Sequence, residues 1–183
     1  VKLTPMDTPF EDSNNIFKTR DPFKEGFVPD QIFERDDIFD KYTRSLQSIV
    51  DGFGPTNIFI FGDSGLGKTA VTNKMIQHLK HECDNKNMQL TVIKMNCNKL
   101  DTTYSVIRYI ANQLNEKTYK QGHHKTDLWD AIYTAMDTKV VEFLFILDDI
   151  DQLGSDDELL YDFPRSRSMG ELEHARVGVI GIS

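Results

Sequence analysis

The chain has 183 residues, enough for one domain that buries about 70% of the surface its unfolded form would expose. Hydrophobic residues make up 39% and charged residues 27%, with 29 Asp and Glu against 21 Lys and Arg and a formal net charge of −8. That balance fits a soluble globular protein and argues against a broadly basic face for nucleic acid, which needs Lys and Arg to meet phosphates.

Residues 1–25 are rich in Asp, Thr, Asn and Pro and read as an extended arm ahead of a domain over 26–183. Pro29 holds Val28 extended, and a helix is expected from near Glu34 with Ile38, Tyr42, Leu46 and Ile49 on one face. Asp51-Gly52-Phe53-Gly54-Pro55 stops it. A strand at 57–61 then runs into Gly62-Asp63-Ser64-Gly65-Leu66-Gly67-Lys68-Thr69. Ala70, Val71, Met75, Ile76 and Leu79 continue at helical spacing to about 80–84. A strand over 90–96 follows, then a helix capped by Asp101 or Thr102 with Val106, Ile107, Ile110, Ala111 and Leu114 inward. A polar loop leads to a third helix marked by Leu128, Trp129, Ile132, Tyr133 and Met136. Phe143-Leu144-Phe145-Ile146-Leu147 is the unbroken apolar run of a central parallel strand, and it ends in Asp148-Asp149. A short helix around Leu159, Leu160 and Phe163 is expected to stop at Pro164, before a last strand over 176–183. Alternating strands and helices define an α/β fold, a doubly wound parallel sheet with right-handed crossovers. Cys83 and Cys97 are too few for a disulfide framework, so a reducing, cytoplasmic setting is expected. No apolar run is long enough to span a bilayer.

The segment G-x-x-x-x-G-K-T between a strand and a helix is a phosphate-binding P-loop pattern. Its glycines permit a tight turn whose N–H groups, together with those opening the helix, face an anion. Residues 62–70 (Gly62, Asp63, Ser64, Gly65, Leu66, Gly67, Lys68, Thr69 and Ala70) are therefore the candidate ATP or ADP site. Lys68 is expected to reach the β- and γ-phosphates, and the Thr69 hydroxyl to ligate Mg²⁺. Asp148, at the end of a buried strand, is the expected partner of Mg²⁺, and Asp149 beside it the candidate base for an attacking water. Lys68 should lie within a few ångströms of the Asp148 carboxylate. His78, His81 and Cys83 match no common zinc spacing and read as a solvated helix end; Arg165 and Arg167 read as a solvated loop.

Taken together, Phe27-Val28-Pro29-Asp30, Glu34-Arg35, the P-loop through Thr72, Ile146-Leu147-Asp148-Asp149-Ile150-Asp151 and Val177-Gly178-Val179-Ile180-Gly181-Ile182-Ser183 resemble the archaeal replication initiators. These are AAA+ proteins related to the origin-recognition-complex and cell-division-cycle loading factors. The resemblance implies a P-loop NTPase of AAA+ type whose segment has sheet order 1-4-3-2, the final strand lying between the P-loop strand and the Asp148 strand. It implies that Val28, Pro29 and Arg35 lie against adenine and ribose, and that a helix near 102–114 touches origin DNA. The acidic composition suits a member from a salt-loving archaeon. The family usually carries Asp-Glu where this chain has Asp148-Asp149. A fifth strand, helical lid, arginine finger and winged helix are expected beyond Ser183, the chain starting at Val1 and stopping there as the front part of a longer initiator. Without that strand, the open edge of the P-loop strand leads to an expectation of self-association.

Three functions compete. The first is an initiator ATPase that recognises origin DNA and helps load the replicative helicase. The second is a shortened paralogue that holds nucleotide or a partner without turnover. The third is another P-loop enzyme such as a small kinase, expected to pair the P-loop strand directly with the Asp148 strand.

Overall fold

The computed structural model describes residues 36–115, 118–139, 141–154 and 158–183. The arm at 1–25 and the expected base contacts Val28, Pro29 and Arg35 lie outside the described residues. The first described element is helix α1 (Asp36–Val50), followed by strand β1 (Ile58–Ile60), α2 (Lys68–Asn85) and β2 (Leu90–Asn96). Next come a short α3 (Cys97–Leu100), α4 (Thr103–Leu114), α5 (Lys125–Lys139) and β3 (Glu142–Asp148). A 3-10 turn (Ile150–Leu153), α6 (Glu158–Arg165) and β4 (Arg176–Ile182) complete the series.

All strand pairings are parallel, and the sheet order is β1-β4-β3-β2. This is the 1-4-3-2 order implied by the initiator resemblance. β3 is central because its sequence has no polar face: all seven of its residues are buried. Its side chains alternate between two cores. Phe143, Phe145 and Leu147 face α4, α5 and α6 through Val106, Ile110, Leu128, Ile132 and Phe163. Leu144 and Ile146 face α1 and α2 through Leu46, Ile49, Val71, Met75 and Leu79. Burying each of these aliphatic or aromatic side chains stabilises the fold by about 1.5–3 kcal/mol.

β4 slots between β1 and β3 because two of its residues have no side chain. A Cβ added at Gly178 would stand 2.5 Å from Pro55 Cβ, and one at Gly181 2.7 Å from the Phe59 ring. Gly181 is in register with Phe59. At the opposite end of the strands Arg176 pairs with Glu142 and donates to the Gly52 carbonyl at 2.7 Å. Asp137, near the end of α5, clamps the approach to β4 by accepting from the N–H groups of Glu173, His174 and Ala175 at 2.8–2.9 Å.

Several boundaries differ from expectation. β1 is only three residues long. Pro164 does not stop α6; it sits in the last turn, and the helix runs one residue further to Arg165. α3 and the 3-10 turn were not foreseen, because four residues are too few to display a hydrophobic period. Thr102 is the cap of α4, its hydroxyl accepting from Ser105 N–H at 3.2 Å.

Candidate functional site

β1 delivers the chain to Gly62, and the loop climbs to α2 through Gly65 and Gly67, whose φ values of 82° and 75° lie where L side chains are strained. Val71 N–H makes a helical bond to Gly67 O at 2.9 Å; the N–H groups of Lys68, Thr69 and Ala70 precede it and project from the first turn. The positive end of the helix dipole is thus aimed into the loop, the arrangement that receives phosphate.

The loop opens onto a cleft of about 730 Å³ at the carboxyl ends of the strands. Gly62, Ser64, Gly65, Gly67, Lys68, Thr69 and Ala70 line one wall, and Asp148, Asp149, Asp151 and Gln152 the other. Lys68 donates to the carbonyls of Gly62 and Asp63 at 2.7 and 2.9 Å, so its ammonium sits within the loop. Leu66 leans over Gly62, and is 44% exposed.

Thr69 and Asp148, 79 positions apart, meet directly: the Thr69 hydroxyl donates to Asp148 Oδ1 at 2.8 Å. Asp148 is 6% exposed, on the face of β3 that also carries Leu144 and Ile146 against α2. The ammonium beside it is that of Lys94, 3.4 Å from Oδ2; Lys94 also donates to Asn73 Oδ1 at 2.9 Å.

Asp149 turns the chain out of β3 in the left-handed region, φ 56° and ψ 46°. Asp is one of the few L residues that visits this region readily, which is a local reason for Asp here. Its Oδ2 accepts from Asn96 Nδ2 at 2.8 Å. Asn96 ends β2 in register with Asp148, and its Oδ1 also caps α3 by accepting from Lys99 N–H. Cys97 is fully buried behind the acidic wall; burial, and then Asp148, Asp149 and Asp151, lift its thiol to about 12. It remains a protonated packing group rather than a nucleophile.

Lys94, Asn73 and Asn96 were not singled out by motif. The signal that could have found Asn96 was the strand order, since adjacent parallel strands end side by side. Lys94 follows from the same register two residues earlier. Among the described residues no group of three or more His, Cys, Asp or Glu is placed to hold a metal. Arg165 is not free: its guanidinium lies 3.8 Å above the Tyr161 ring. No described helix is long and apolar enough to cross a membrane.

A P-loop wall opposed by a buried strand-end carboxylate, with another strand between them, is the arrangement of AAA-type P-loop NTPases. The AAA domain matches residues 50–181, and the chain belongs to that family. It is 38% identical over 178 residues to ORC1-type DNA replication protein 10 of Halobacterium salinarum, covering 95% of this chain and 43% of the relative. ORC1-type DNA replication protein 15 of Haloarcula marismortui is 36% identical over 178 residues, with 95% and 44% covered. The chain therefore spans less than half the length of these relatives. In fold it is similar to the Aeropyrum pernix ORC1 protein, solved in complex with DNA, at a TM-score of 0.73 and 22% identity over 87% of this chain and 41% of that one. The Aeropyrum pernix ORC2 protein, solved as ADPNP–ADP complexes, gives a TM-score of 0.71 at 19% identity over 91% and 45%.

Proposed function

We propose that this chain is the nucleotide-binding part of an ATP-binding and ATP-hydrolysing DNA replication initiator, one that in its whole form recognises origin DNA and assists helicase loading. The observation that carries the nucleotide reading is the 2.8 Å contact of Thr69 with Asp148 at the foot of a helix whose N–H groups face the cleft. The initiator reading is supported by the ORC1-type relatives. A kinase reading fits less well, because β4 separates β1 from β3.

In this mechanism the N–H groups of the loop and of Lys68, Thr69 and Ala70 bind the phosphates, and Lys68 shifts from the Gly62 and Asp63 carbonyls to phosphate oxygens. The donor set fits magnesium: a hydroxyl and a carboxylate are hard oxygen ligands, and a magnesium site with few protein ligands relies on substrate phosphates for the rest. Thr69 and Asp148 would hold the ion, which when bound neutralises phosphate charge. Asp149 accepts the proton of the attacking water, while Asn96 fixes the carboxylate's orientation. Val28, Pro29 and Arg35 contact the base and ribose, and α4 approaches origin DNA. The burial of Val106, Ile107, Ile110 and Ala111 leaves the DNA role of α4 to its outer face.

A second reading, nucleotide held without turnover, takes the Asn96 amide to hold the Asp149 carboxylate away from the attacking water instead of towards it. Titration with a fluorescent ATP analogue and a phosphate-release assay on the full-length protein separate the readings. Lys68→Ala is expected to weaken nucleotide binding at least tenfold with an unchanged circular dichroism spectrum. Asp149→Asn is expected to keep binding and lose phosphate release. Unchanged release in Asp149→Asn removes Asp149 as the base; no release in the unmutated protein selects the second reading.

A further inference from the structure

The carboxylate at the end of β3 has an ammonium paired with it. Lys94 lies on β2 with its Nζ 3.4 Å from Asp148 Oδ2, while Thr69 donates to the other oxygen of the same carboxylate at 2.8 Å. Its second tether is Asn73 Oδ1 at 2.9 Å. Asn73 and Thr69 are four residues apart on α2, one above the other on the same helix face. Thr69, Asp148, Lys94 and Asn73 thus form a closed circuit of two strands and one helix. The ammonium has two partners within it, Asp148 and Asn73. The side chain of Lys94 is 35% exposed and that of Asp148 8%, so the carboxylate interacts with its neighbours in a partly desolvated setting. At such positions one positive charge a few ångströms from a divalent ion is a substantial repulsion, and it also offsets the repulsion between Asp148 and a phosphate chain.

We propose that Lys94 is a built-in competitor of the divalent ion at Asp148, a positioning residue that sets how much nucleotide binding depends on Mg²⁺. The inference rests on the nucleotide reading of the cleft. With the ammonium in place Asp148 is already neutralised, so nucleotide binds appreciably without metal and Mg²⁺ enters only at raised concentration. Without it, Asp148 repels metal-free nucleotide and attracts the metal more strongly. Asn73 contributes by holding the ammonium at the Oδ2 oxygen of the carboxylate.

The test is the affinity of the full-length protein for a fluorescent ADP analogue, measured in EDTA and across a Mg²⁺ titration, with no turnover required. Lys94→Gln is expected to weaken binding in EDTA severalfold and to lower the Mg²⁺ concentration at half-effect by about tenfold. Lys94→Arg, which keeps the charge, is expected to follow the unmutated protein, and Asn73→Ala to fall between. Lys68→Ala, which lies outside this circuit, serves as the control for specific binding. An unchanged Mg²⁺ midpoint in Lys94→Gln, with nucleotide still bound in a Lys68-dependent way, overturns the role of Lys94 alone. The same is true if Lys94→Arg behaves as Lys94→Gln does. Failure of the unmutated protein to bind nucleotide at any Mg²⁺ concentration overturns the nucleotide reading, and this inference with it.

Discussion

Asp137 does at the scale of one residue what a helix cap does for a helix: a single carboxylate receives three successive backbone N–H groups, those of Glu173, His174 and Ala175. Desolvation pushes its pKa upward, but these donors, with His174 nearby, outweigh it and hold the carboxyl below its ordinary 3.8. A depressed pKa means that the folded state favours the charged form, so the stabilisation is present above the unfolded value and lost as pH falls through the folded one. Thermal melts should therefore lose stability on acidification below about pH 4, and Asp137→Ala, costing about 1–2 kcal/mol at neutral pH, should show a flatter acid limb. Equal acid dependence in both would show that other carboxylates govern it. At this scale motif reading singled out Lys68, Thr69 and Asp148, which line one cleft, because the P-loop pattern fixes residue type and spacing within a few positions. It did not single out Lys94, Asn96 or Asp137, whose contacts with Asp148, Asp149 and the backbone of Glu173 span 36 to 54 positions and carry no local pattern.

Among the elements, β4 shows why sequence pattern locates a strand better than it explains one. Its apolar run was legible, as were the seven residues of β2 and the inward face of α4. What could not be read is that Gly178 and Gly181 exist to admit Pro55 and Phe59. The two sites should respond differently to a methyl group. At Gly178 the obstacle is a proline Cβ and the Thr56 carbonyl, neither of which can rotate away, so Gly178→Ala should cost about 1–3 kcal/mol in denaturant melts. At Gly181 the obstacle is the ring of Phe59, which is 52% exposed and free to turn outward, so Gly181→Ala should cost less. Equal losses at both positions would contradict this account. The end of α6 lies one residue past its proline: Pro164 withholds the single N–H that would serve the Leu160 carbonyl, and the helix stops at the next residue.

Across the whole molecule, the sheet order followed from a family resemblance rather than from any single element, and it has a consequence for how the chain comes to exist. Of the four described strands, the one latest in the chain occupies the second position in the sheet, between the first and the third. Asn57 and Val179, joined by a hydrogen bond of 3.0 Å, are separated by 122 positions. A nascent chain emerging from the ribosome can pair β2 with β3 and pack α4 and α5 on one side. α2 can pack on β3, but β1 gains its place in the sheet only when residues 176–182 emerge, because β4 is the described strand that pairs with both β1 and β3. Ribosome-stalled chains should therefore acquire affinity for a nucleotide analogue abruptly, on release of β4, and not gradually with length. Until then the strand that leads into the glycine-rich loop has no partner to fix its register, so a half-made protein is expected neither to hold a nucleotide analogue nor to draw on ligand binding for stability. The order of translation thus sets the moment at which the cleft closes, and β4 is the strand that closes it.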